Sequence, residues 1–337
     1  MIKIKRCKRC LIPENYPNVI LNKNGICNLC LNEKPKDDLT EGTRYKQEFE
    51  EYIKKIKGKG EYDCLLLFSG GKDSTYLLYI LKEKYGLNVL AVTVDTGVLN
   101  PKTKLNIKKI VKHLNVDHIA ITPENDFFKR LYRYFIQHPN KDTYCLSVCI
   151  LCQKLMQSIG LNVAVEKKIP FVALAYSPDQ ADNYELSTDK MCKSWIPEEL
   201  YQEPFTEKDR SYFWNPEHVK IKPRVIFPFC AIGYPGVEKI VEKLSYIGLG
   251  EKRSFNPISS NCYLGWLLMF LDVKKNNYNQ YVVLLSRQIR KGKTKRGKWS
   301  IIIPLGNWLL KNGFVKRKEI KYALSYLDLN INKIIAS

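Results

Sequence analysis

Two groups of residues in this 337-residue chain have the types and spacing to do chemistry: the string Ser69-Gly70-Gly71-Lys72-Asp73-Ser74, and a set of eleven cysteines of which several stand in pairs. The string is small, flexible and charged. Gly70 and Gly71 let backbone approach an anion, Lys72 supplies a point charge, Ser69 and Ser74 supply hydroxyls, and Asp73 can hold Mg²⁺ against phosphate oxygens. Ahead of it, Cys64 to Phe68 is a continuous apolar run, the pattern of a strand buried on both faces. Behind it, Leu77, Leu78, Ile80 and Leu81 recur at helical spacing. A strand that runs through a glycine loop into a helix turns the helix's positive end toward the loop, where phosphate belongs. The spacing is not that of the Gly-x4-Gly-Lys-Ser/Thr loop.

The cysteines divide by position. Cys7-x-x-Cys10 and Cys27-x-x-Cys30 are separated by sixteen residues that include Pro13, Pro17 and Gly25. Two such knuckles folded together suit a tetrahedral Zn²⁺ held by four thiolates, a closed structural site with no open coordination position. Cys149 and Cys152 form a further pair more than a hundred residues away. With Cys145 they spell Cys-x3-Cys-x2-Cys, formally the spacing of a radical-SAM cluster, a chemistry the phosphate loop argues against. Cys64, Cys192 and Cys230 read as small buried hydrophobes.

The elements that must position these residues alternate. A helix over residues 45–57 leads to the first strand; strands follow at 88–94, 118–121 and 169–175, with a further strand at 224–229 and helices at 104–115 and 236–247. Such βα alternation predicts an α/β fold, a doubly wound and mostly parallel sheet with right-handed crossovers and its ligand at the carboxyl ends of the strands. That places Asp95, which ends the second strand, and Asp179-Gln180, after the fourth, at the nucleotide edge. Residues 184–223 are polar and carry no assignment. The expected organisation is a zinc module at 1–38, a linker helix at 39–60, a nucleotide domain at 61–235 and a small basic substrate-binding region at 236–337.

Ser69 to Ser74, in its strand-loop-helix context, resembles the pyrophosphatase loop of the PP-loop (HUP-like, adenine nucleotide alpha-hydrolase) superfamily. The resemblance implies cleavage of ATP between its α- and β-phosphates with Mg²⁺, and a site made of Ser69, Gly70, Gly71, Lys72, Asp73 and Ser74, with Asp95 beside the nucleotide. Within that superfamily Cys149, Cys152 and Cys262 resemble the trio of the tRNA 2-thiolation enzymes, which implies a [4Fe-4S] cluster or a persulfide on those cysteines. Lys72, Asp73 and Asp179 then serve the adenylation. Gln180 stands where those enzymes carry a second acid, so that role does not transfer to it. The N-terminal zinc module, residues 82–87 and residues 163–170 also resemble the N-acetyl sugar amidotransferases, which implies ammonia as the nucleophile instead; Ala175-Tyr176-Ser177 departs from that family's pattern at the substrate site. The expected activity is therefore an ATP-dependent sulfurtransferase, with the amidotransferase and a non-catalytic zinc and nucleotide-binding protein as alternatives.

Composition bounds the partners. The formal net charge is +21, and from Val273 to Lys318 there are thirteen Lys or Arg and no acid. Such a block is a solvated arm or a surface for an anion. The expected acceptor is a tRNA, an acidic carrier protein or a small amide, with a separate sulfur donor; a homodimer is left open. A charged N-terminus and the absence of an apolar run approaching ~18 residues point to a cytoplasmic protein without a membrane span.

Overall fold

The computed structural model describes residues 4–33, 38–124, 126–178, 180–181, 184–186, 188, 195–217, 219–249 and 261–336. It divides into two compact units, and the division follows the fold rather than the order of the sequence. One unit takes Asp37–Phe128 and Leu151–Asn261; the other takes Met1–Lys36, Lys129–Ile150 and Cys262–Ser337.

The first of these units is built on a six-stranded sheet: β1 (Cys64–Leu67), β2 (Val89–Val94), β3 (Asp117–Ile121), β4 (Phe171–Ala173), β5 (Glu185–Leu186) and β6 (Arg224–Ile226), in the order β3-β2-β1-β4-β6-β5. All neighbours are parallel except β5, which runs antiparallel along β6. β1 lies between β2 and β4, pairing Leu65 with Leu90 on one side and with Val172 on the other. Every residue of β2 is buried, as a parallel strand covered on both faces requires. The core joins Leu66, Leu77, Leu78, Ile107, Phe171 and Ile226. The chain order reverses at β1, so the crevice beyond its carboxyl end is the topological switch point where open α/β sheets bind ligands. β6 is shorter than its apolar run because Pro228 opens a helical turn, Pro228–Ile232. In the stretch that carried no assignment, the two residues of β5 are held by Arg224, whose guanidinium meets Glu185 at 2.8 Å.

The helices of this unit include α2 (Asp38–Ile56), α3 (Lys72–Tyr79), extended by a π turn at Ile80–Lys84, and α4 (Pro101–His113). The other unit holds the N-terminal cysteine knuckles, with α1 (Asn28–Leu31), and the C-terminal helices. Two helices run through both stretches of sequence: α5 (Phe127–Gln137) and α6 (Tyr144–Glu166). α6 corrects the sequence reading twice. It is one helix of 23 residues carrying both Cys149 and Cys152, and it is long and apolar enough to cross a membrane by length and composition, with half of its most apolar window buried in the fold. A buried core helix meets the same criterion, and its all-round apolarity is what hid it: there is no period to read.

Among the described residues the remaining α-helices are, in sequence order, α7 (Glu207–Ser211), α8 (Pro228–Ile232), α9 (Val237–Tyr246), α10 (Tyr263–Asn276), α11 (Tyr281–Arg290), α12 (Arg296–Lys311), α13 (Arg317–Tyr326) and α14 (Ile331–Ala336). The basic stretch is thus helical. Its aromatic residues divide: Tyr278 is fully buried with Leu11, Val282 and Ile303, and Trp299 packs against that cluster, whereas Tyr281 is half exposed.

Candidate active site and cysteine centres

The loop after β1 has the conformation an anion cradle needs. Gly70 has φ +66°, and a Cβ there would stand 2.5 Å from Ile107 Cγ1, so both conformation and space demand glycine. Gly71 is the N-cap of α3, and no side chain caps the helix. The N–H groups of its first turn therefore have no intrahelical acceptor and face outward with the positive end of the dipole. Ser69 Oγ and Ser74 Oγ lie 3.1 Å apart, and Ser74 Oγ also donates to the Gly71 carbonyl at 3.1 Å. Lys72 pairs with Asp73, and the other oxygen of Asp73 accepts from Tyr234 Oη at 2.9 Å. An ammonium, two hydroxyls and a carboxylate are thus gathered on one turn.

Two asparagines buttress this turn, neither of them visible as a site residue in the sequence. Asn106 Nδ2 donates to the Gly70 carbonyl at 3.0 Å, and Asn261 Nδ2 donates to the Ser69 carbonyl at 3.2 Å. Asn261 is itself held by its carbonyl, which accepts from Asn100 N at 2.8 Å. A Cβ on Gly71 would come within 2.8 Å of Asn261 Nδ2. Asn106 lies on the polar side of an amphipathic helix and Asn261 is remote in sequence, so apolar spacing alone had no signal for either.

Asp95 follows β2 at the same sheet edge. Its carboxylate accepts from Gly97 N at 3.0 Å and pairs with Lys104 Nζ at 2.5 Å. Asp179 lies outside the described residues. Gln180 closes its own turn, its Oε1 accepting from Ser177 N at 3.1 Å and Ser177 Oγ at 3.2 Å.

In the other unit, Cys7, Cys10, Cys27 and Cys30 are buried, and their sulfurs all lie within 4.8 Å of one another. Cys7 Sγ and Cys30 Sγ are 3.8 Å apart, and Cys10 Sγ and Cys27 Sγ 3.6 Å. Sulfurs placed tetrahedrally at about 2.3 Å from one ion would be about 3.8 Å apart. Burial pushes the Cys7 thiol up, but the backbone N–H groups of Cys10, Cys27 and Arg9 outweigh it and hold the group down at about 7. Burial pushes Cys27 up to about 11 and raises Cys30 further. One ready thiolate beside two reluctant neighbours is what crowded sulfurs give without a cation, and a metal removes that repulsion. Arg290 serves this centre: its guanidinium meets Glu33 at 2.8 Å and Cys10 Sγ at 3.7 Å. From sequence it belonged to the densest part of the basic block, whereas in the fold its side chain is 9% exposed.

The second cysteine group is described in its two parts. Cys149 and Cys152 are one turn apart on α6, a spacing that puts both on the same face of the helix. Cys149 shares its unit with Cys145 and with Cys262, the N-cap of α10. The Cys262 thiol is pushed up to about 12, first by burial and further by Cys149, and the Cys149 thiol is the first cause of the upward shift of the buried Cys145. Cys152 belongs to the sheet unit, where its charge adds to the burial that raises the Tyr176 phenol; Tyr176 Oη accepts from Gln157 Nε2 at 3.2 Å. Cys149, Cys152 and Cys262 are all partly exposed, unlike Cys64, which is sealed in β1.

The chain is similar to several known proteins. The family model "Queuosine biosynthesis protein QueC" matches residues 63–136, the segment that holds β1, the loop and Asp95. A probable sulfurtransferase of Methanocaldococcus jannaschii is 31% identical over 147 residues, 39% of this chain and 43% of that protein. The tRNA-specific 2-thiouridylase MnmA of Nitratiruptor sp. is 25% identical over 221 residues, 63% of this chain and 58% of the relative. Among solved structures, the U34-tRNA thiolase NcsA of Methanococcus maripaludis, determined with its [4Fe-4S] cluster, is 16% identical, covers 100% of this chain and 97% of that one, and has a TM-score of 0.38. The chain spans less than two thirds of the length of the curated relatives it matches. With the loop at the switch point, the family match and these sequence relatives together, the chain is a member of the PP-loop superfamily that resembles the tRNA-thiolating enzymes.

Proposed function

We propose that the chain is an ATP-dependent sulfurtransferase that activates a carbonyl oxygen of a base in tRNA as its adenylate and replaces that oxygen with sulfur. In the first step the carbonyl oxygen attacks the α-phosphorus of ATP and pyrophosphate leaves. In the second, hydrosulfide adds to the activated carbon and AMP departs with the oxygen. The observation that carries the reading is the uncapped first turn of α3 at the switch point, with Lys72, Ser69 and Ser74 around it. Its N–H groups and ammonium meet the charge that grows on the leaving pyrophosphate, the moment at which preorganised donors lower a barrier. Asp73 and Asp95 are the carboxylates to hold Mg²⁺ against those phosphates, and Asp179 is assigned to the same edge from sequence.

The sulfur chemistry is assigned to Cys149, Cys152 and Cys262. Three thiolates suit a [4Fe-4S] cluster with one open iron, which would supply a site for hydrosulfide. Cys7, Cys10, Cys27 and Cys30 hold Zn²⁺ as a folding element. The basic helices between Val273 and Lys318 supply the attraction for RNA phosphates.

The test is ATP-dependent incorporation of labelled sulfide into bulk tRNA by protein prepared without oxygen, with Cys149→Ser and Cys262→Ser beside the wild type. Label in the RNA that disappears in either variant supports the reading. Incorporation of ammonia in place of sulfide would overturn it in favour of an amidotransferase.

A further inference from the structure

Asp272 is a carboxylate in an expensive place. It is fully buried, and it lies in the last turns of α10, at the negative end of its own helix dipole. Burial pushes it up to about 6. What offsets that cost is another helix. Its oxygens accept from Tyr144 N at 2.6 Å and from Cys145 N at 3.3 Å, the first two N–H groups of α6. Those donors belong to the orphan set that every helix leaves at its N-terminus.

The same end of α10 holds the start of α6 in two further ways. Lys275 Nζ sits 5.4 Å from the Tyr144 ring centroid, and Asn276 Nδ2 donates to the Asp142 carbonyl at 3.1 Å. Thr143 completes the cap from within, its Oγ1 accepting from Leu146 N at 3.0 Å. All these residues lie in one unit. α6 carries Cys149, and α10 is the helix that Cys262 opens.

We propose that Asp272 is a positioning residue that sets Cys149 against Cys262, by anchoring the first turn of α6 to the last turns of the helix that begins at Cys262. Cys149 follows Tyr144 by about 7.5 Å of helix and Cys262 precedes Asp272 by about 15 Å, at about 1.5 Å per residue. Each thiol is thus fixed by a rigid rod from one shared clamp, and the clamp determines their separation. The inference rests on the sulfur-transfer reading for what the two thiols do, but not for where they are.

The experiment measures that separation directly. Full-length protein is treated with a short thiol-specific bismaleimide, and the Cys149–Cys262 cross-link is quantified by peptide mass spectrometry in wild type, Asp272→Asn and Asp272→Ala, with zinc content and the thermal transition recorded alongside. Asn keeps one acceptor oxygen, so cross-link yield should fall in the order wild type, Asn, Ala. The fall to Ala should be roughly tenfold, the scale of a lost helix cap, with zinc content unchanged. If the Ala variant does not fold, the Asn variant carries the comparison. Absence of the cross-link in wild type, or an equal yield in folded variants, overturns the proposal. Sulfide incorporation that survives Cys149→Ser while the cross-link still depends on Asp272 sinks the sulfur-delivery reading and leaves the positioning role standing.

Discussion

Gly70 and Lys72 divide the work of the phosphate loop between shape and charge. A Cβ at Gly70 meets the backbone's positive φ and Ile107 together, so Gly70→Ala should cost about 2 kcal/mol or more in urea unfolding and should abolish nucleotide binding. Lys72→Ala should leave unfolding unchanged and slow pyrophosphate release on the order of a hundredfold, the scale of one lost donor to a developing negative charge. Asp272 has a pH signature. Its pKa is raised from 3.8 to about 6 in the folded protein, so the folded state binds more protons than the unfolded between those values. Its contribution to stability therefore falls as pH rises from 4 to 6 and is flat above, by about 2 to 3 kcal/mol in all. Asp272→Asn should remove that slope from the pH dependence of the unfolding midpoint. These side chains differ in legibility. Lys72 and Asp73 stood out because a loop that joins a strand to a helix has no structural use for both, whereas Asn106, Asn261 and Asp272 act through contacts with backbone far away in sequence, which no local pattern encodes.

Among the elements, the cysteine knuckles and α6 show where sequence reading succeeds and stops. Two Cys-x-x-Cys pairs with turn residues between them announce a four-sulfur cage, and the sulfurs stand at the spacings of a tetrahedron's edges. Cys10→Ser should lower bound zinc and the thermal midpoint together, since metal-binding energy here is folding energy. Arg290→Ala should act the same way more weakly, because its guanidinium lies on Cys10 Sγ and Glu33; if it instead weakens RNA binding while zinc is retained, the residue belongs to the basic surface after all. Apart from β5, which lies in the stretch that carried no assignment, the strands were legible from sequence, to within one residue at β2 and β3. α6 was not, because Tyr144 to Glu166 is apolar on every side in its middle, and its small residues Ser147, Ser158 and Gly160 break the run without breaking the helix. Gly160 is retained there by packing: a Cβ would stand 3.0 Å from Leu67 Cδ2 of β1.

For the whole molecule, the proposed function asks the basic stretch and the nucleotide chemistry to serve one acceptor. Of the thirteen cations between Val273 and Lys318, nine lie on helices and the other four at helix ends or in the short turn between α11 and α12, so they belong to folded structure rather than to a tail. Neutralising Lys291, Lys293 and Lys295 together should weaken tRNA binding and reduce the slope of log affinity against log salt by roughly two to three, whatever the RNA sequence. The central claim is that ATP is opened between its α- and β-phosphates at Ser69 to Ser74. It is tested most directly by identifying the products of ATP in the presence of tRNA and sulfide by phosphorus NMR. The account predicts AMP and pyrophosphate in equal amounts, formed only when the acceptor is present and lost in Lys72→Ala. ADP and inorganic phosphate as the products would contradict it.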